Sequence, residues 1–233
     1  MTSPIENKPV GWHPGTLLSR LASSADSTLT TASIRAAAVL FVTVLTTAAA
    51  QVSVPLPFTP VPFTLQPMVV LLGAAALGSR LGAASQVLYL AAGIAGLPVF
   101  AASPLLPQGA ARLLGPTGGY LLSYPLAAFV VGYLAERGLD RRYLGSVLAM
   151  LTGLAVVFAL GVLRLSFFLS PANPSLGLDA AATAGLYPFV GADVVKVLIA
   201  AGALPALWKL TGLGRVTTGR GSAETDTAGT SRV

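Results

Sequence analysis

The sequence predicts an all-α integral membrane protein with six transmembrane helices and both termini in the cytoplasm. Three observations lead to this prediction: the composition, a series of apolar runs and the distribution of basic residues. Of the 233 residues, 54% are hydrophobic and 9% are charged, whereas about a quarter of the residues in a soluble domain carry a charge. So few charged groups cannot cover the surface of a soluble protein of this length, so the composition favours a membrane protein.

Six apolar runs, separated by charged or Pro/Gly-rich breaks, supply the predicted helices. They cover residues 34–50, 66–77, 81–97, 118–135, 143–163 and 184–207. A helix needs roughly 20 residues to cross about 30 Å of hydrocarbon. The last three runs meet that length, the first and third are near its lower bound, and the second is short on its own. The runs are continuously apolar instead of alternating, which predicts helices and not the strands of a β-barrel.

The basic residues agree with this helix map. With the N-terminus in the cytoplasm and one crossing per run, 11 of the 14 Lys and Arg residues fall on the cytoplasmic side. Only Arg112 and Arg164 fall in outer loops, and Lys196 lies inside a span. This bias is the pattern of the positive-inside rule.

The same map divides the chain into three parts. Residues 1–31 are predicted to form a cytoplasmic polar tail, and residues 32–210 a six-helix membrane domain. Residues 211–233 are rich in Gly, Ser and Thr, which predicts a disordered cytoplasmic tail.

Several classes of function are disfavoured by the residue content. Cysteine is absent and the single histidine, His13, lies in the N-terminal tail, so neither a metal site nor a rhomboid-like protease centre is expected. No Walker phosphate loop is present, so the chain itself is not expected to bind ATP. The scattered basic residues indicate contact with membrane lipid and not with nucleic acid. We therefore expect neither an enzyme nor a cofactor in this chain.

Two predicted outer loops have an unusual composition. The first, residues 51–67, carries no charge, and its near-repeat "PLPFT" and "PVPFT" at positions 55–64 contains four prolines. Because proline fixes φ, this loop should be extended and stiff, either as an interfacial connector or as a preformed lid over a cavity. The second loop ends in "LLGPTGGY", residues 113–120, whose glycines suit either a turn or the close approach of a ligand.

An acidic and a basic residue lie within the sixth run. Asp193 and Lys196 are three positions apart, so they share one face of a helix. Ionisable residues inside a membrane are costly and commonly mark a functional site. The pair could also neutralise itself without binding anything, or hold a structural subunit in an assembly. As a binding pair it suits a small ligand with a polar head near the outer surface.

Four segments combine these features in one order. They are "VPLPFTPVPFTLQ" (54–66), "GSRLGAASQVLYLAAGIAGLPVF" (78–100), "LLGPTGGYLL" (113–122) and "PFVGADVVK" (188–196). Together they closely resemble the BioY family over about residues 34–207. The resemblance implies a six-helix protein that binds biotin from the outside as the S component of an energy-coupling factor (ECF) transporter. One departure is "GAD" at 191–193, where the family pattern often reads Gly-Asp.

The resemblance also implies which residues bind the ligand. Asp193 and Lys196 match the acidic and basic positions of the last-helix motif and are expected near the ureido ring of biotin. The other expected ligand-binding residues are Tyr120, Gly118, Gly119, Gln66, Phe58, Thr64 and, in the third span, Tyr89.

Partners follow from the same resemblance. A transmembrane coupling subunit and two ATPase subunits, which use ATP, are expected to work with this chain in the plasma membrane. Ala32 and Ala36 have a spacing that permits close helix approach and are expected to contact the coupling subunit. The predicted function is capture of biotin and its delivery inward. The alternative is an S component for another small vitamin or metabolite.

Overall fold

The computed structural model describes residues 15–22, 28–103, 107–169 and 174–210, and most of them are helical. In chain order the α-helices are α1 (Leu17–Ala22), α2 (Thr28–Gln51), α3 (Gln66–Leu77), α4 (Ser79–Ile94), α5 (Ala110–Leu114), α6 (Gly118–Glu136), α7 (Tyr143–Leu169), α8 (Pro174–Gly185) and α9 (Tyr187–Leu210). A 3₁₀ turn at Leu139–Arg141 joins α6 to α7. Strands β1 (Ser53–Val54) and β2 (Phe63–Thr64) lie between α2 and α3. The prediction of an all-α protein is confirmed, since the only strands in the described chain are these two short ones.

Each of the six predicted runs overlaps most of one helix, namely α2, α3, α4, α6, α7 or α9, and several of these helices extend beyond their run. Four helices of the described chain are long and apolar enough to cross a membrane, over Leu29–Gln51, Gly118–Glu136, Tyr143–Phe168 and Tyr187–Leu210. The other two are shorter, with 12 residues in α3 and 16 in α4, and a single glycine, Gly78, separates them. Six crossings, and the side of the membrane on which the termini lie, therefore stay predictions.

The predicted tails are covered only in part. Residues 17–22 form α1 and residues 28–31 belong to α2, so two pieces of the segment 1–31 are helical. The C-terminal segment 211–233 lies outside the described residues, as does the rest of the N-terminal segment up to residue 14. Helix α8 was not predicted from the sequence.

Helix α6 lies at the centre of the bundle. Of its membrane-length span 61% is buried, against 22% for that of α2. α6 packs on α3, α4 and α7, and α9 packs on α3 and α7. Leu71, Val131, Met150 and Leu204, one from each of α3, α6, α7 and α9, are fully buried in the shared core. α2 lies at the edge beside α3 and α4 and leaves most of its surface exposed.

The two strands form a small antiparallel hairpin. Ser53 pairs with Thr64, and Val54 pairs with Phe63. The connection between them, residues 55–62, holds the four prolines noted in the sequence. The predicted extended loop is thus a β-hairpin, called here the hairpin (residues 53–64), and it leads directly into α3.

A buried acid ties the 3₁₀ turn to the far end of α9. Oδ2 of Asp140 accepts a 2.7 Å hydrogen bond from Nε1 of Trp208. Burial raises the pKa of Asp140, while this hydrogen bond acts in the opposite direction. The contact joins the α6–α7 connection to the last turns of α9 and so closes the end of the bundle that lies away from the hairpin.

Candidate functional site

A cavity lies where the hairpin meets the first turns of α3, α6 and α9. Its empty volume is about 600 Å³, including the part that opens to solvent. Its lining residues come from seven segments of the chain and are Val61, Pro62, Thr64, Gln66, Pro67, Phe100, Ala101, Arg112, Thr117, Tyr120, Leu121, Tyr124, Val157, Phe158, Gly185, Phe189 and Asp193. Most of them are apolar or aromatic, with a few polar groups, which is the composition of a small-molecule site.

The acidic residue of the predicted pair lies in this lining. Asp193 is 6% exposed and Lys196 is 8% exposed. Nζ of Lys196 donates a 2.7 Å hydrogen bond to Oδ1 of Asp193. Oδ2 of Asp193 accepts no hydrogen bond from the described residues, so one carboxylate oxygen remains for a ligand. Lys196 does not line the cavity and lies behind the carboxylate.

Two residues of the first-loop motif also line the cavity, and a third predicted residue supports them. Gln66 begins α3, and its Nε2 donates a 2.6 Å hydrogen bond to the hydroxyl of Tyr89. Tyr89 in turn donates to the carbonyl of Val99 at 3.2 Å. Thr64 lies beside Gln66, with its Oγ1 3.5 Å from Oε1 of Gln66. Gln66 and Thr64 therefore face the cavity, while Tyr89 holds the Gln66 amide from behind.

Of the three ligand-binding residues predicted in the glycine turn, one lines the cavity. The hydroxyl of Tyr120 donates a 2.9 Å hydrogen bond to the carbonyl of Gly185, and its ring lines the cavity. Gly118 and Gly119 are buried but do not line it. A Cβ on Gly118 would overlap the backbone of α5, and one on Gly119 would overlap α7. The glycines therefore permit tight packing of the first turn of α6 and thereby position Tyr120.

The structure does not bring Phe58 to the cavity. It lies in the proline-rich connection of the hairpin and is 64% exposed. The equivalent phenylalanine of the second repeat, Phe63, lies next to the acidic pair instead, with its ring centroid 3.6 Å from Nζ of Lys196. The two repeats are nearly identical in sequence, so only the register of the hairpin distinguishes these residues.

Three lining residues with polar side chains were not predicted from the sequence: Arg112, Thr117 and Tyr124. Arg112 is 2% exposed and donates from Nη2 to the carbonyl of Ala101 at 2.9 Å. Burial lowers the pKa of Arg112 from its ordinary value. Oγ1 of Thr117 is buried and has no hydrogen-bond partner among the described residues. One signal was available, because Arg112 is one of only two basic residues in the predicted outer loops.

Two further predictions concern surfaces and metals. Ala32 and Ala36 are exposed near the start of α2, at the end of the bundle away from the cavity, and their contact with a partner stays a prediction. Within the described ranges no group of three or more His, Cys, Asp or Glu side chains is arranged to hold a metal ion.

Comparisons with known proteins agree on one family. A profile of the BioY family matches residues 22–212. A biotin transporter BioY of Thermotoga maritima is 41% identical over 160 residues, which cover 68% of this chain and 86% of that protein. A probable biotin transporter BioY of Pyrococcus horikoshii is 39% identical over 156 residues, covering 67% of this chain and 85% of that one.

A solved structure shows the same fold. The crystal structure of the S-component for biotin from an ECF-type ABC transporter superimposes with a TM-score of 0.67 at 25% sequence identity. The match covers 79% of this chain and 95% of that chain. Since the family profile spans most of the sequence and the relatives match over most of their own length, this chain belongs to the BioY family.

Proposed function

We propose that this chain is the biotin-binding S component of an ECF-type transporter, which captures biotin from the outside and delivers it inward. Its membership of a family of biotin transporters makes it a transport component and not an enzyme. Its long apolar helices agree with a multi-pass membrane protein. The observation that carries the proposal is Oδ2 of Asp193, which accepts no hydrogen bond from the described residues and belongs to a residue lining a mostly apolar cavity.

The groups of biotin match the groups of this cavity. Biotin has a ureido head with two N–H donors and a carbonyl, a largely apolar fused ring, and a carboxylate at the end of an aliphatic tail. Asp193 offers an acceptor for a ureido N–H, and the rings of Phe158 and Phe189 offer apolar contact. Arg112 offers a cation for the carboxylate, and it forms no ion pair with Asp193, so the two charges serve different parts of the ligand.

The remaining lining groups have supporting roles in this arrangement. The hydroxyl of Thr117, which has no hydrogen-bond partner among the described residues, is available to the ligand, and Gln66 presents an amide held by Tyr89. Lys196 donates a hydrogen bond to the Asp193 carboxylate and orients it. Each charge-assisted hydrogen bond to the ligand should contribute about 1.5–3 kcal/mol.

The proposal includes a membrane arrangement and partners. The chain crosses the membrane six times with both termini in the cytoplasm, and the cavity faces outside. A transmembrane coupling subunit and two ATPases complete the transporter, and ATP is used by those partners. Ala32 and Ala36 lie in the helix surface that meets the coupling subunit, where small side chains allow close approach.

Binding of radiolabelled biotin to the purified chain tests the site. Asp193→Asn removes the charge and one acceptor at nearly constant volume, so biotin affinity should fall at least about tenfold. The matched control is Asp179→Asn, which alters an exposed acid on α8 and should leave affinity unchanged. Equal affinity in Asp193→Asn and the parent protein would show that biotin does not use this carboxylate. Competition by other vitamins tests the alternative of a different small substrate.

A further inference from the structure

We propose that a second recess, at the end of the bundle away from the cavity, binds the phosphodiester headgroup of an anionic phospholipid with Arg35 and Arg80, while the acyl chains lie along α4. The inference goes beyond the proposed function, because biotin takes no part in it. In the proposed topology the recess lies in the cytoplasmic leaflet, the leaflet with the more negative surface.

The recess, called here the basic recess, lies where the end of α3 and the start of α4 meet α1, α2 and the end of α6. Its empty volume is about 810 Å³, including the part that opens to solvent. Its charged lining residues are Arg35 from α2, Arg80 from α4 and Glu136 from α6. Two cations and one anion give the lining a net positive charge, which favours an anionic occupant.

The single carboxylate of the basic recess is already hydrogen-bonded to protein donors. Oε1 of Glu136 accepts from the backbone N–H of Ser79 at 2.8 Å and from the Ser79 hydroxyl at 2.9 Å. The same hydroxyl lies 3.1 Å from Oε2. Glu136 therefore caps the first turn of α4, and within the described ranges it forms no ion pair with Arg35 or Arg80.

The two arginines of the recess have no such contacts. Neither guanidinium forms an ion pair or a hydrogen bond with another described residue, and both side chains are exposed. In contrast, Arg164 donates to a backbone carbonyl, and Arg137 and Arg141 lie over aromatic rings. A guanidinium presents a planar fork of donors that matches the oxygens of a phosphate group. Two such forks in one recess suit the two non-bridging oxygens of a phosphodiester.

An apolar stripe on α4 continues from the basic recess along the bundle. Ala84, Val87, Leu88 and Ala91 follow Arg80 at helical spacing, and all of these side chains are exposed. Val87 is seven residues beyond Arg80, which is about 10 Å along the helix at 1.5 Å per residue. The stripe therefore lies at the depth of acyl chains when Arg80 lies at the depth of the headgroups.

The stripe favours a lipid over a soluble anion as the occupant. A free phosphate could contact the arginines but would leave the stripe without a partner. A phospholipid satisfies both features at once, since its phosphate and its acyl chains are held at the same relative depths as Arg80 and Val87. Basic recesses between helices at the cytoplasmic side are typical places for anionic headgroups.

Thermal unfolding of the purified full chain in an uncharged detergent tests the site. Dioleoylphosphatidylglycerol at ten times its Kd should raise Tm by about 3–6 °C. Dioleoylphosphatidylcholine at the same concentration should raise Tm by less than about 1 °C, because its choline cation cancels the charge of the phosphate. This comparison does not depend on the orientation of the chain in the membrane.

The double variant Arg35→Gln/Arg80→Gln should lose the response to phosphatidylglycerol. Each single variant should weaken the affinity for this lipid about tenfold, since one charge-assisted contact is lost. Each shift is measured from the lipid-free Tm of the same variant. The matched control is Arg142→Gln/Lys209→Gln, which removes two exposed charges at the same end of the bundle, outside the recess, and should keep the full response.

A water-soluble compound separates the lipid from a free anion. Glycerophosphoglycerol carries the headgroup of phosphatidylglycerol without acyl chains, and it should not shift Tm at the concentration used for the lipid. An equal shift would assign the basic recess to a soluble phosphodiester and overturn the lipid assignment. Native mass spectrometry of the parent chain should show one retained phosphatidylglycerol, and the double variant should retain none.

Three further results would overturn the proposal. An intact lipid response in Arg35→Gln/Arg80→Gln would show that these arginines do not bind the headgroup. An equal loss in Arg142→Gln/Lys209→Gln would show a general effect of charge. An intact lipid response together with lost binding of the coupling subunit would assign the recess to a protein partner. The biotin affinity of Asp193→Asn tests the proposed function separately.

Discussion

At the scale of single residues, the buried ion pair is asymmetric. A lysine ammonium has three donors, and that of Lys196 meets two oxygens and an aromatic ring. The Asp193 carboxylate has several acceptor positions and receives one hydrogen bond from the described residues. Burying a charged group is expensive unless its hydrogen-bonding capacity is filled. The unfilled hydrogen-bonding capacity is that of Asp193, so a ligand with N–H donors can fill it. The Lys196 ammonium needs no further partner.

Arg112 places a positive charge in the cavity lining, and a variant of this residue tests whether the carboxylate of biotin is bound there. Arg112→Gln should lower the affinity for biotin at least about tenfold, because a charge-assisted hydrogen bond to the carboxylate is lost. Affinity for biotin amide, which has no carboxylate, should be nearly the same in variant and parent. Equilibrium binding of both compounds measures the difference.

Arg164→Gln is the control for Arg112→Gln. Arg164 is the second basic residue of the predicted outer loops, and it donates to the carbonyl of Leu114 at 2.7 Å without lining the cavity. Replacing Arg164 should change the affinities for biotin and for biotin amide by the same factor, if at all. If Arg112→Gln weakens the acid and the amide equally, Arg112 supports the wall and does not bind the carboxylate.

At the scale of elements, the position of α6 depends on close backbone contact. Gly132 faces the junction of α3 and α4, and a Cβ there would overlap the backbone of Gly78 and Ser79. Backbone cannot be displaced as a flexible side chain can, so the contact fixes the depth at which α6 enters the bundle. Because Tyr120, Leu121 and Tyr124 line the cavity from α6, this distant glycine also positions part of the site.

Gly132→Ala should therefore destabilise the fold. Overpacking typically costs about 1–3 kcal/mol, and for a chain of this size each kcal/mol lowers Tm by about 2–4 °C. Thermal unfolding of the detergent-solubilised protein measures the change. Gly191→Ala, on an exposed face of α9 with no atom near the added Cβ, should be neutral or slightly stabilising. A Gly132→Ala variant as stable as Gly191→Ala would show that α6 shifts freely.

At the scale of the whole molecule, the cavity and a group of basic residues lie at opposite ends of the bundle. The cavity lies at the N-terminal ends of α3, α6 and α9, together with Arg112. The opposite end carries Arg80 at the start of α4, Arg137 after α6, Arg142 before α7 and Lys209 near the end of α9. The fold gathers these separated basic residues at one end, which supports a cytoplasmic position for that end.

Labelling of single cysteines tests this orientation, since the parent chain has none. A membrane-impermeant maleimide added to intact cells should label Phe58→Cys, in the exposed hairpin. Arg142→Cys, exposed between α6 and α7, should react only after the membrane is permeabilised. The unmodified chain provides the background. Labelling of Arg142→Cys in intact cells would overturn the proposed topology.

Local sequence is sufficient to predict the membrane class, the six helical segments and the residues of the acidic pair. These properties depend on local hydropathy and on the cost of charge in hydrocarbon, and both can be evaluated along the chain. Resemblance also indicated Gln66, Thr64 and Tyr120, which line the cavity.

Tertiary packing determines which groups face the cavity and which lie behind it. It brought Arg112 and Thr117 into the lining, placed Phe63 and not Phe58 beside Lys196, and left Gly118 and Gly119 in helix packing. The reason is that these assignments depend on contacts between distant positions, such as Lys196 with Thr64 across 132 residues. Hydropathy determines that a segment is helical, whereas the packing of several helices and the register of one hairpin determine what each side chain meets.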